Sequence, residues 1–154
     1  MNITINVLRG EELRAALRVA PAAVRRHLAA SIEAVARDVV EHARASHRFK
    51  TRSCTLERFT EAKVDRANLR AEVGFKASDV PYGAYVHDGT PPHKIRPKDR
   101  RALRWVAGGD FVFAKGVNHP GTAPDPFLYN AADRVDADAI FGKDVDAAIK
   151  EVFG

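Results

Sequence analysis

Cysteine is almost missing from this sequence. Cys54 stands alone, so no internal disulfide can form, which fits assembly in a reducing cytoplasm. Long apolar runs are missing too: no stretch approaches the ~20 consecutive apolar residues that a membrane helix requires. The N-terminus, Met1-Asn2-Ile3-Thr4-Ile5-Asn6, lacks the charged segment and apolar core of a secretory signal. These absences predict a protein with no membrane partner. Catalytic signatures are equally scarce. There is no Gly-rich strand-to-helix turn with Lys-Ser or Lys-Thr to cradle a phosphate, and no Gly-x-Ser-x-Gly elbow. No pair of acids stands out as a nuclease or glycosidase dyad. Cys54 has no neighbouring His-Asp constellation and reads as a plain thiol. The expectation is a protein that is not an enzyme and carries no cofactor.

What is present describes an ordinary globular chain. At 154 residues, 45% hydrophobic and 29% charged, it has the size of a single domain over 1–154 with a real core. Its net charge of +5 is unevenly spread. Residues 125–154 hold seven acidic side chains against three basic ones, a balance of −4, which leaves +9 on the first 124. Such asymmetry points to nucleic acid, an acidic partner or head-to-tail contact between copies. A lopsided solvated surface explains it as well.

Residues 1–20 read as a strand and a short helix. Ile3, Ile5 and Val7 alternate with polar neighbours. Gly10 precedes Glu11 and Glu12, first-turn acids, and Leu13 and Leu17 form a stripe. From Pro21 the spacing of Val24, Leu28, Ile32, Val35, Val39 and Ala43 predicts a long amphipathic helix over 21–47 that packs on a sheet, with Glu33–Arg37 as an i,i+4 pair. His47 to Cys54 is a basic, polar loop. Residues 59–65 and 69–76 alternate as a hairpin about Arg66-Ala67-Asn68, with Asn68 suited to a left-handed backbone.

The stretch from Tyr82 to Leu128 is the least generic part of the chain. Pro81 to Val86 reads as a strand edge or a helix start. Asp88-Gly89-Thr90-Pro91-Pro92 must turn, because two prolines forbid a ladder. A basic loop over 88–101 follows, and from His93 to Arg104 six cations (Lys94, Arg96, Lys98, Arg100, Arg101, Arg104) face only Asp99. Leu103 to Val106 and Phe111 to Ala114 flank Gly108-Gly109, a strong hairpin signal. The sheet is expected to span 59–118. Asp125 as cap, Pro126 at the first turn and Phe127-Leu128 on the buried face open a C-terminal helical segment over 125–154. Gly142 is expected to interrupt it, and Val145, Ile149 and Val152 to form a second apolar stripe. The fold class is therefore α+β: a long N-terminal amphipathic helix on a mainly antiparallel sheet of about four to five strands, with a C-terminal helix. His87, His93 and His119 share the central stretch, but their spacing matches no compact zinc motif, so no metal site is assigned. The favoured reading is that they order loops by hydrogen bonds.

The segment Tyr82-Gly83-Ala84-Tyr85-Val86-His87-Asp88-Gly89-Thr90 resembles a family signature: tyrosine, two small residues, an aromatic, valine, an acid or His, any residue, Gly-Thr. The family is the small tail-component or tail-completion proteins from the neck of long-tailed double-stranded DNA phages. His93-Lys94-Ile95-Arg96-Pro97-Lys98 and Ala102-Leu103-Arg104-Trp105 are similar to its basic loop and following strand. Val117 to Thr122 and Pro124 to Leu128 are similar to its closing motif. The likeness covers most of the chain in order and is densest over 82–128. One departure is that the family's Thr-Gly-x-Leu segment has no glycine in Thr51-Arg52-Ser53-Cys54-Thr55-Leu56.

The resemblance implies a structural virion protein at the head–tail junction, assembled in the host cytoplasm. Such proteins self-associate into a ring that joins the DNA-filled head to the tail. Expected neighbours are head-completion proteins (adaptor or stopper), the tail terminator and tail tube proteins, with genomic DNA in the channel. The residues expected to meet partners are Tyr85, His87, Thr90, His93, Arg96 and Arg101, with core packing the alternative for Tyr85. A tail terminator is the alternative role. A nucleic-acid-binding module using Arg25, Arg26, Lys94, Arg96, Lys98, Arg100 and Arg101 is the alternative from another class.

Overall fold

A computed structural model describes residues 1–5 and 22–153. The short helix expected near Leu13 and Leu17 falls outside the described residues. The chain forms β1 (Asn2–Ile5), α1 (Ala22–Ala45), α2 (Thr55–Phe59), β2 (Glu61–Asp65), β3 (Arg70–Gly74) and α3 (Gly83–Asp88). Then come β4 (His93–Ile95), β5 (Leu103–Ala107), β6 (Asp110–Ala114), β7 (Val117–His119), α4 (Phe127–Ala132) and α5 (Ala137–Phe153). The class is α+β. No helix among the described residues is long and apolar enough to cross a membrane.

Helix α1 forms because its apolar residues recur every three or four positions in an Ala-rich background. It buries Ile32, Val35, Ala36, Val39, Val40 and Ala43. His42 and Arg44 lie in the last turn, where cations suit the helix dipole. Arg44 also donates from Nε to the carbonyl of Glu57 at 2.9 Å and from Nη2 to that of Thr60 at 2.8 Å, tying α1 to α2. Glu33 pairs across the fold with Arg66 instead of along the helix with Arg37.

The buried face of α1 lies on a three-stranded antiparallel sheet of order β1-β3-β2. Val73 pairs with Ile3 on one side and Ala62 on the other. Ala71 and Val73 in the central strand point into the core, with Phe75, Val80, Leu56, Phe127 and Leu128 completing it. The β2–β3 hairpin is where the alternation placed it. Its left-handed residue is Leu69 at φ 51°, not Asn68, which is engaged by the Asp65 carboxylate through both its backbone and side-chain nitrogens. Phe59 ends α2 instead of opening the strand. Cys54, just before α2, takes φ 52°, a left-handed conformation that glycine adopts without penalty.

Helix α5 packs along α1. Ser31 is fully buried and donates to the Asp144 carboxylate at 2.6 Å. Gly142 does not interrupt α5; the break falls earlier, between Ala132 and Ala137, where the Asp136 carboxylate accepts the amide of Ala139 at 2.9 Å and opens the new helix. Near its far end Glu151 accepts from Arg26 Nη2 at 2.5 Å and lies 2.9 Å from His27 Nε2. These hydrogen bonds, Arg26's first, hold the Glu151 carboxyl below its ordinary value of 4.5. A lowered folded pKa gives a contribution present above the unfolded value and lost as pH falls through the folded one. Glu151→Gln is therefore expected to lower the urea midpoint at pH 7 and to make no difference once the carboxyl is protonated in both states. Urea titrations of both proteins at neutral and acidic pH check this.

The remaining strands do not extend the sheet. Strands β4 and β7 pair only with each other, as do β5 and β6. The single sheet of about four to five strands expected over 59–118 is, among the described residues, one three-stranded sheet and two separate two-stranded ribbons. The prolines at 91 and 92 bar a ladder at their own positions, between α3 and β4.

Candidate functional site

From Asp88 to Pro124 no residue is buried. This long excursion, flanked by the buried His87 and Asp125, is an arm on the outside of the core. What closes its base is a clasp between the two motifs picked out in the sequence. The amides and carbonyls of Thr90 and Thr122 exchange hydrogen bonds at 3.0 and 3.1 Å, and the Thr122 amide also meets Thr90 Oγ1 at 3.0 Å. Behind them the Asp125 amide donates to the Val86 carbonyl at 3.1 Å.

The motif glycines are what let these strands approach. Gly121 has φ 92°, and a Cβ there would lie 2.3 Å from the Thr90 carbonyl oxygen. Gly89 has φ 73°, and its Cβ would lie 2.5 Å from the Thr122 carbonyl. Gly83 has a different reason: its Cβ would enter the Phe75 ring. Gly121→Ala combines a left-handed penalty of about 1–2 kcal/mol with a backbone collision, so it is expected to open the clasp. Because the arm adds nothing to the core, the global melting temperature should hardly move. Hydrogen exchange at the Thr90 and Thr122 amides should accelerate by roughly ten- to a hundredfold, as a local opening would.

The expected contact residues divide. Tyr85 is 64% exposed and Tyr82 stands beside it on the same surface-facing end of α3, so core packing does not account for Tyr85. His87, two residues on, is 1% exposed. Its ring meets Phe127 and Tyr129 edge to face at 5.5 and 5.1 Å, and Nδ1 lies 2.8 Å from Asp88 Oδ1. It is a core residue beneath the arm and does not stand at the surface with the others. Thr90 works in the clasp. His93 reaches the Pro91 carbonyl through Nδ1 at 2.9 Å, while His119, its cross-strand partner, accepts the Gly121 amide at 3.1 Å. Both rings thus brace loops, with centroids 5.0 Å apart. Among the described residues no three His, Cys, Asp or Glu side chains stand together as a metal-ligand set.

Arg96 and Arg101 are exposed on the basic loop, and neither they nor Lys94, Lys98 and Arg100 form an ion pair or side-chain hydrogen bond among the described residues. The sequence missed what lies beyond that loop. The β5–β6 hairpin turns through Gly108 and Gly109 at φ 63° and 94°, the signature of a tight type I′ turn. It leaves Val106, Phe111 and Phe113 exposed at 61%, 62% and 65%, while Trp105, paired with Val112 on the other face, is 39% exposed. Directly opposed residues share a face, so Arg104 with Phe113 and Val106 with Phe111 make one continuous apolar surface. The Arg104 guanidinium lies 4.8 Å from the centre of the Phe111 ring.

Helix α5 carries a second uncovered patch. Val145 and Ile149, members of the expected second apolar stripe, are 40% and 51% exposed, while Ala148 and Asp144 face α1. No family model, no curated protein and no solved structure matches this chain.

Proposed function

We propose that this chain is a structural protein of the head–tail junction of a long-tailed double-stranded DNA phage, where copies assemble as a ring between the filled head and the tail. The observation that carries the proposal is the clasped arm: a segment of the chain that adds nothing to its own core, yet presents an apolar, aromatic hairpin next to a loop of unpaired cations. A monomer gains nothing from such a surface, and contiguous exposed apolar patches mark interaction sites. The resemblance of residues 82–128 to the tail-completion proteins supplies the biological setting. The left-handed Cys54 stands two residues before the buried Leu56, where that family's Gly-x-Leu pattern has its glycine. The proposed role is mechanical. Rigidity comes from the α1-on-sheet core, register and partner choice from charge on the arm.

The test is the mass of the purified protein in solution, alone and with purified heads or tails that lack it. Uptake onto one of those particles, as a monomer or as ring-sized oligomers, is the expected result. Uptake on tails alone, before heads are added, assigns it the tail terminator's place. A persistent monomer that ignores both particles and binds DNA with strong salt dependence overturns the proposal.

A further inference from the structure

We infer that the occupant of the arm's apolar face is helix α5 of a second copy of this chain, in a head-to-tail contact. The inference rests on the ring-forming role proposed above and names the two surfaces that meet. One surface is the hairpin face of Val106, Phe111 and Phe113, bordered by Arg104 and the unpaired cations of the loop before it. The other is the α5 stripe of Gly142, Val145 and Ile149, whose spacings of three and four place them on one side of the helix. Asp138 lies on that side, four residues before Gly142, and Asp146 flanks it; both are exposed and neither forms an ion pair among the described residues.

The match is in three respects. Each surface is a short apolar strip whose side chains are uncovered in the monomer. The arm's cations can meet Asp138 and Asp146 at the edge of the helix stripe, with the exposed Lys143 and Lys150 standing further round the helix, and charge pairs of this kind fix register. Gly142 faces open space, with no atom within 4 Å of where a Cβ would stand, so an aromatic side chain can approach the helix backbone there. Hairpin-to-hairpin pairing would instead set Arg104 and the loop cations of two copies against each other, which like charge disfavours. Two different patches meeting make a heterologous contact, the type that propagates and closes into rings.

Mixed crosslinking tests this directly. In a Cys54→Ser background, Val106→Cys and Val145→Cys are made in separate chains; both positions are exposed, so neither change touches the core. On mild oxidation at high protein concentration, with and without purified heads or tails, the mixture is expected to give a covalent dimer while each chain alone gives no covalent dimer. A chain carrying both cysteines is expected to give a ladder of oligomers. Self-crosslinking of the Val106→Cys chain alone, or no crosslink in the mixture under either condition, overturns the inference. The two readings separate cleanly. Uptake onto heads or tails without the mixed crosslink removes this contact and leaves the junction role; the mixed crosslink in a protein that neither particle takes up supports the contact and removes the junction role.

Discussion

Replacing Phe111 and Phe113 together by serine is expected to abolish self-association and leave the fold intact. Both rings are more than half exposed in the isolated chain, and neither belongs to the core. Covering them in an assembly stabilises each by roughly 1.5–3 kcal/mol. Losing two such contributions costs about 3–6 kcal/mol per contact, and each 1.4 kcal/mol is tenfold in affinity. Even the lower figure weakens each contact by more than ~100-fold. The substitution also removes the ring beneath Arg104. On the folded monomer the same change should stay within about 0.5 kcal/mol, the usual range for surface substitutions. Sedimentation of the double variant beside a urea titration reads both quantities at once. Assembly that survives would show that the hairpin is not the contact; a lost urea transition would show that the arm supports the core after all.

The same residues show why the sequence told only part of this. Phe111-Val112-Phe113 and Leu103 to Val106 read as apolar runs either side of a Gly-Gly turn, the pattern of a hairpin. The reading of strand and turn was right, down to the two left-handed glycines. What periodicity cannot say is whether the cover for such runs comes from the same chain or another. Val145 and Ile149 repeat the lesson on a helix: their spacing is that of an apolar stripe, but α1 takes the neighbouring face through Ser31 and Ala148. Helix α1 was legible because its apolar stripe from Ile32 to Ala43 is buried within one chain. The clasp was half legible. Gly89, Thr90, Gly121 and Thr122 were singled out as motif, yet nothing local reports that residues 32 positions apart exchange hydrogen bonds. His87 reads in sequence as one of the contact residues of the central stretch, or as a loop-ordering imidazole. The helix that starts at Gly83, pressed on Phe75, turns it inward instead.

Asp125→Ala is expected to be among the most destabilising polar substitutions in the chain, and its size separates two accounts of this residue. Asp-Pro before Phe127-Leu128 reads as a helix cap, and a lost cap costs about 1 kcal/mol. Among the described residues, however, the carboxylate's hydrogen bonds go to the amides of Arg48 and Phe49 and none to α4. The carboxylate is buried and turned toward the end of α1, where Oδ2 accepts the amide of Arg48 at 2.5 Å and that of Phe49 at 3.0 Å. The Arg48 side chain wraps the same corner, donating to the Pro124 carbonyl at 2.8 Å, with Nε 3.5 Å from Asp125 Oδ1. Phe49, held by that amide, packs edge-on against Phe127 at 5.5 Å. Alanine would strand two backbone donors and loosen a core aromatic pair. Hydrogen bonds to a charged acceptor contribute about 1.5–3 kcal/mol each, so a total near 3–5 kcal/mol is expected. Asn keeps one oxygen in place and should recover more than half of it, which a cap lost to solvent would not require. Urea midpoints of the Ala and Asn variants decide the magnitude, and hydrogen exchange at the Arg48 and Phe49 amides locates it. A loss near 1 kcal/mol with both amides still protected would return Asp125 to the role of a simple cap. The larger loss would make it the pin that holds the far end of the arm to the end of the long helix, so that the clasp closes on a fixed base.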